Sequence, residues 1–337
     1  MERLRLVHMD SLCCEPILRR MPNGELLIVA QIGDVKEPAP GNRVITFHSK
    51  DEGETWIKGE TVWPEDGQAV YLTEVAVMDG VTRVYLTLHN GHFIDWKCRV
   101  VASHDNGYTW VDEGPSPCFD KYTFHRGQIR LQSGELIMAY QHYPVTDEEN
   151  QRQIEQKGRF NLLNINTCET GLIGSSDEGK TWYPLGCVQI PFGGDTGRNW
   201  VWSEPTLHQR KDGTIVMLMR VNETGYLWQS ESTDDGRSFS EPVKTDIPNP
   251  SNKPKLLALE DGRVALIHTP NSTCGMRHRW PLAAWISHDD ARTWTEKKII
   301  SNYPACFCYP DGIVENNRLI FAIETNRREI LFVDYPV

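Results

Sequence analysis

No stretch of 18 apolar residues occurs in the chain, so nothing in it reads as a membrane-spanning helix. The opening residues, MERLRLVHMDS, carry charge but no apolar run, and a secretion signal is not expected. A basic stripe is also missing. Lys and Arg number 35 against 46 Asp and Glu, and the densest basic groups are the pairs Arg19-Arg20 and Arg327-Arg328. Such pairs are too short to track nucleic-acid phosphates. The formal net charge of -11 favours solubility, and a few converging arginines can still reverse the potential locally. The nine cysteines include no Cys-x-x-Cys pair with metal spacing, so no zinc site is expected and no cofactor is called for. Cys306 and Cys308, two apart on one strand, would share a face. Reduced thiols without a signal point to the cytoplasm, although a chain trimmed of a secretion signal would read the same way. Low-complexity tracts are absent, and 39% hydrophobic with 24% charged residues is a globular composition.

Aromatic residues are plentiful, with 11 Trp and 11 Tyr, and they suit strands and sugar-stacking surfaces alike. The main signal is a repeat. Five segments share Ser-x-Asp-x-Gly-x-Thr/Ser-Trp/Phe: SKDEGETW, SHDNGYTW, SSDEGKTW, STDDGRSF and SHDDARTW, starting at 49, 103, 175, 232 and 287. Ala291 replaces the glycine of the last. Asp accepts hydrogen bonds from nearby backbone N–H groups, Gly supplies a positive φ, and the aromatic anchors the corner. These turns brace a fold and carry no chemistry of their own.

A second repeat interleaves with the first. Six hairpins run apolar strand, polar turn, apolar strand, with turns marked by Gly24, Gly80, Gly134, Gly213, Gly262 and Asn317. Six hairpins and five boxes predict one all-β domain over residues 1–337, a six-bladed β-propeller with four antiparallel strands per blade. Residues 144–168 read as a loop inserted in blade three. The N-terminal RLRLVHM has no hairpin partner and is expected to complete blade six as its outer strand, which removes an exposed edge.

Small ligands tend to bind in the funnel of a propeller, beside the starts of the innermost strands. Counting nine residues back from the turn markers gives Glu15, Tyr71, His125, Glu204 and Lys253, with Tyr309 the near equivalent in blade six. Seven residues after the markers stand Gln31, Thr87, Gln141, Arg220, Thr269 and Glu324. Polar side chains at one repeated position read as a lined pocket, subject to a register error of one residue. Glu15 and Glu204 open blades one and four, facing each other across the ring, which would suit a wide, inverting pair of carboxylates. Glu204 and Arg220 also read as a structural ion pair across their hairpin. Trp200 and Trp202 flank the Glu204 strand as core aromatics or as a sugar-stacking surface.

SEPTLHQRKDGTIVMLMR (203–220) resembles the catalytic stretch of exo-sialidases, a Glu and an Arg sixteen residues apart around an Asp-Gly turn. YPDGIVENNRLIFAIE (309–324) resembles that family's tyrosine strand, and 269–294 its stretch carrying another arginine. The resemblance implies a sialidase-like exo-glycosidase acting on a terminal acidic sugar. Tyr309 would be the nucleophile, Glu204 its base and Asp34 or Glu37 the acid/base. Arg220 with Arg277 or Arg279 would clamp the substrate. The sequence departs from the family at blade one, where Cys14-Glu15-Pro16 stands in place of an Arg-Ile-Pro motif. Glu15 would then need a partner such as Arg19, Arg20 or Arg43. His125 with neighbouring Arg126 keeps open a lyase acting on uronic-acid polysaccharides, with His125 and Tyr309 as base and acid. A non-catalytic carbohydrate-binding propeller is the third reading. In each case the partner is a carbohydrate rather than a nucleic acid or a membrane.

Overall fold

The computed structural model describes residues 3–90, 93, 95–156, 168–190 and 202–337. Its strands form six four-stranded antiparallel sheets. Strand β1 (Arg3–Met9) is set aside by the chain and used last. Blade one holds β2 (Cys13–Arg20), β3 (Leu26–Ile32), β4 (Arg43–Ser49) and β5 (Ile57–Thr61). Blade two holds β6 (Ala69–Met78), β7 (Val81–His89), β8 (Lys97–Ser103) and β9 (Val111–Pro115). Blade three holds β10 (Thr123–Arg130), β11 (Leu136–His142), β12 (Glu169–Ser175) and β13 (Tyr183–Gln189). Blade four holds β14 (Ser203–Gln209), β15 (Ile215–Val221), β16 (Tyr226–Ser232) and β17 (Val243–Pro248). Blade five holds β18 (Lys255–Ala258), β19 (Val264–His268), β20 (Leu282–Ser287) and β21 (Glu296–Ser301). Blade six holds β22 (Phe307–Glu315), β23 (Arg318–Thr325) and β24 (Glu329–Pro336), and β1 pairs with β24 as its outer strand. The ring is thus closed by the two ends of the chain, as expected.

The first strands of successive blades touch all round, β2 to β6, β10, β14, β18, β22 and back to β2. They encircle the axis, and apolar residues such as Ile28, Phe47, Ile320 and Phe332 pack between the sheets. Between β11 and β12 a helix, α1 (Asp147–Gln156), occupies part of the segment expected as a blade-three insertion. The rest of that segment, 157–167, and Trp200 lie outside the described residues.

The box turns are built as the sequence predicts. Each box serine accepts the N–H of the residue four further on, at 2.8–2.9 Å. Each box aspartate accepts the N–H of the Thr or Ser four residues on, at 2.7–2.9 Å. At Gly53, φ is +79°, and a Cβ there would lie 2.4 Å from Phe332 of blade six. The glycine therefore lets the turn lie flat against the preceding blade.

Four innermost strands change register near their starts, between Cys14 and Ile17, Leu72 and Glu74, Arg126 and Gln128, and Cys308 and Asp311. A bulge re-aims side chains. Glu15 (φ 44°) and Tyr309 (φ 54°) stand on two of these bulges in a conformation that costs a non-glycine residue energy.

Candidate functional site

A cup of about 560 Å³ opens at the end of the ring where the innermost strands begin. Tyr309, Arg220, Arg279, Arg327, Glu37 and Trp202 line it. Four axial residues, Glu15, Glu204, Lys253 and Tyr309, each precede a proline. The axis side of an innermost strand is an unpaired edge, so a missing N–H there forfeits no ladder bond. That X-Pro pattern is a sequence signal for axial residues.

The centre of the cup is a cluster of short contacts. Glu204 and Arg220 lie directly opposite each other on β14 and β15. The Arg220 Nη1 donates to Glu204 Oε2 at 2.6 Å and to the Tyr309 hydroxyl at 3.1 Å. That hydroxyl donates to Glu204 Oε1 at 3.0 Å, and Trp202 Nε1 donates to the same oxygen at 2.9 Å. Arg126, fully buried, bonds Glu15 through Nη1 and lies 3.5 Å from Glu204 Oε1 through Nη2. Burial alone would raise the Glu204 pKa, but Arg220 and Arg126 outweigh it and hold the carboxyl down to about 2. Burial, and next the charge of Glu204, push the Tyr309 phenol well above its ordinary range. Glu15 is raised by burial, against the pull of Arg126. Its partner is thus Arg126, whereas Arg19 and Arg20 are engaged elsewhere. The Arg126 guanidinium thus stands between the two carboxylates, hydrogen-bonded to Glu15 and 3.5 Å from Glu204, so a cation and not open space separates the expected pair.

Of the two blade-five arginines, Arg279 lines the cup, donating to Cys308 Sγ at 3.1 Å and to the Ser251 carbonyl at 2.6 Å. Arg277 stands exposed on the 3₁₀ turn Met276–His278 and is not among the cup residues. Asp34 also departs from expectation. Its carboxylate bonds the Val35 N–H at 2.6 Å and rests against Gly41, folded back onto its own loop. The same loop brings Glu37 into the cup, where it pairs with Arg327 at 2.5 Å.

His125 is displaced from the axis. Its ring packs 5.0 Å from that of Tyr85 in the layer between blades, and burial pushes its pKa down to about 3. The bulge at Gly127 (φ 52°) adds a residue to the strand, so Arg126 reaches the axis instead. Arg43 is displaced too. It faces Glu65 at the rim of blade one, 3.9 Å away, beside a separate small cleft.

The remaining polar residues lie around or beneath the cup. Tyr71 is buried against His89 and Phe93, with its hydroxyl unpartnered among the described residues. Glu324 is fully buried and accepts the Glu15 N–H at 3.0 Å. Burial, and next Cys308, push its pKa well above the ordinary value. Lys253 lies 4.0 Å from Asp311, and burial lowers its pKa. Asp311 also binds Lys255 at 2.8 Å and Arg19 at 2.5 Å, while Arg19 binds Glu74 at 2.6 Å. This ionic layer lies along the axis between the cup and a second mouth at the opposite face, which Arg19 and Lys255 line.

Arg327 is a charged cup residue that the sequence reading missed. It sits in the tight β23–β24 turn (φ 58°), and its Nη2 donates to Cys14 Sγ at 2.8 Å. A guanidinium from blade six thus stands beside the blade-one position that lacks an arginine. No repeat position marks it, because it belongs to a turn rather than to a strand.

Residues 72–321 match the BNR repeat-like domain. No curated protein matches the chain. Among solved structures, a protein of unknown function from Dyadobacter fermentans is 16% identical, with TM-score 0.71 and 99% of each chain covered. A Hadza microbial sialidase is 16% identical with TM-score 0.73, covering 99% of this chain and 68% of that one. The Trypanosoma rangeli sialidase, solved with the inhibitor DANA, is 16% identical with TM-score 0.69, covering 98% of this chain. The present chain spans only 56% of that enzyme. These likenesses establish the sialidase-type six-bladed fold and nothing finer. With three quarters of its length matched and six blades closed in a ring, the chain belongs to the BNR repeat-like domain family.

Proposed function

We propose that the protein is an exo-acting glycoside hydrolase that removes a terminal acidic sugar, of the sialic-acid or uronic-acid class, with retention at the anomeric carbon. The observation that carries this reading is the Tyr309 hydroxyl, hydrogen-bonded to both Glu204 and Arg220 at the cup. A phenol is a poor nucleophile until a base takes its proton. Glu204 is placed to take it as the Tyr309 oxygen bonds the anomeric carbon, and Arg220 stabilises the developing phenolate charge. Glu37, at the cup wall, gives a proton to the leaving oxygen. It then deprotonates the water that displaces Tyr309, and the phenol recovers its proton from Glu204.

Arg220, Arg279 and Arg327 converge on the cup and suit a carboxylate, which a guanidinium grips with two parallel bonds. A substrate carboxylate drawing on Arg220 would weaken the hold of that arginine on Glu204 and make Glu204 a better base at the moment of attack. Solved neighbours named as sialidases support the same class. The lyase alternative loses its base, because His125 is buried against Tyr85.

The test is hydrolysis of a panel of aryl glycosides that includes sialosides and uronides. Tyr309→Phe and Glu204→Gln are expected to lower kcat by about 10²–10⁴-fold on the acidic substrates, with thermal melting retained. Variants that match the parent on every active substrate would overturn the assignment. Binding of an acidic sugar without turnover by the parent would leave a carbohydrate-binding propeller.

A further inference from the structure

Cys306 and Cys308 flank Phe307, Cys308 immediately precedes Tyr309, and the reaction outlined above uses neither sulfur. Their Sγ atoms are 3.2 Å apart. Cys308 is buried and accepts the Arg279 Nη1 hydrogen bond at 3.1 Å. Cys306 is partly exposed, and Asn326, which lines the cup, holds its backbone through contacts of 3.0 and 2.8 Å. We propose that this pair is a reversible dithiol–disulfide site through which small disulfides such as glutathione disulfide modify the cup. The consequence for turnover rests on the functional reading above, whereas the chemistry at the two sulfurs does not.

The step balances as thiol–disulfide exchange. The Cys306 thiolate attacks one sulfur of glutathione disulfide, that S–S bond breaks, and one glutathione leaves as a thiolate and takes up a proton. The Cys308 sulfur, losing its proton to solvent, then attacks the Cys306 sulfur of the mixed disulfide and expels the second glutathione. Two protein thiols are oxidised and one small disulfide is reduced. Two features favour the first attack on Cys306. It is the exposed member of the pair. A hydrogen bond from Cys308, set against burial and helped by the charge of Arg279, lowers its pKa. Thiolates rather than thiols are the attacking species.

Geometry makes the bridge labile rather than structural. Cα atoms two residues apart in extended chain are about 6.6 Å from each other. Disulfides span roughly 4.4–6.8 Å, so closure here works near the upper limit and draws the backbone in. Strained bridges are the easily reduced ones. Drawing in Cys308 moves the bulge on which Tyr309 stands, and a bridged sulfur turns away from Arg279. Oxidation therefore displaces a clamp residue and the nucleophile together.

The experiment incubates the full-length protein in graded mixtures of reduced and oxidised glutathione, followed by intact mass and peptide mapping under non-reducing conditions. The expected product has lost two hydrogen masses, maps to Cys306–Cys308 and reverts with dithiothreitol. Hydrolysis of an acidic aryl glycoside is expected to fall at least about tenfold in step with the bridge and to recover on reduction. Cys306→Ser is expected to keep the reduced rate and lose the sensitivity. A stable mixed disulfide, a bridge elsewhere, or no mass change would overturn the site. A bridge with full activity would overturn the control of the cup. If the bridge forms while Tyr309→Phe remains as active as the parent, the hydrolase reading fails and the redox site stands.

Discussion

At Glu324 a carboxyl is held where water does not reach. One oxygen accepts the Glu15 N–H and the other has no partner among the described residues. Its pKa is raised above an ordinary 4.5, so the folded protein holds that proton more tightly than the unfolded chain does. Stability from this group is present below pH 4.5 and is lost as pH rises through the raised value. Glu324→Gln keeps an acceptor for the Glu15 N–H and removes the charge. Its Tm should match the parent near pH 4 and exceed it by about 2–4 °C near pH 8. A difference that does not grow with pH would show that the raised pKa is not what costs stability. Glu204 has the opposite sign. Its contribution is present above pH 4.5 and is lost as pH falls through about 2, so it belongs to acid unfolding. At this scale the sequence was a partial guide. Glu204, Arg220 and Tyr309 were legible because each falls at a repeated strand position. His125, Asp34, Arg43 and Arg277 were misplaced because a bulge, a loop or a turn decides where a side chain aims, and periodicity is silent there.

The box turn is the element whose logic is most local. Its hydrogen bonds close within five residues, so eight letters specify it wherever it occurs. The glycine is the exception, because its need is set by the neighbouring blade. Gly53→Ala places a methyl 2.4 Å from Phe332 at φ +79°. The left-handed backbone costs about 1–2 kcal/mol and the overpacking about 1–3 kcal/mol more. A melt should show a Tm loss of several degrees with the fold otherwise unchanged; an unshifted melt would mean that the blades slide apart at no cost. Ala291 shows that a box can carry a methyl at this position, since it holds φ 62° in the fifth box. Bulges were not legible. Gly127 reads in the sequence as an ordinary residue of a strand, and only the sheet shows that it shifts the register.

Closure of the ring belongs to the whole molecule. Strand β1 covers the outer edge of β24, and the buried Asp334 joins Arg3 of β1 to Arg318 of β23 at 2.6–3.0 Å. A chain starting at Asp10 loses that cover, leaving the β24 edge open to pair with another copy. Light scattering should then show association, and the melt should fall relative to the full chain. A truncated chain that stays monomeric with the parental Tm would mean that closure contributes little.

Taken alone, the sequence determined the number of blades, the strands within them, the braced turns and the strand that closes the ring. Those features arise from contacts between residues near in sequence, or from a repeat that reports itself six times. Only the tertiary structure decided which side chains meet on the axis. It set Arg126 between Glu15 and Glu204, chose Arg279 and Glu37 over Arg277 and Asp34, and brought Arg327 beside Cys14. The axis is a place of contact between residues up to 313 positions apart, and one shifted register on any blade changes which of them arrive.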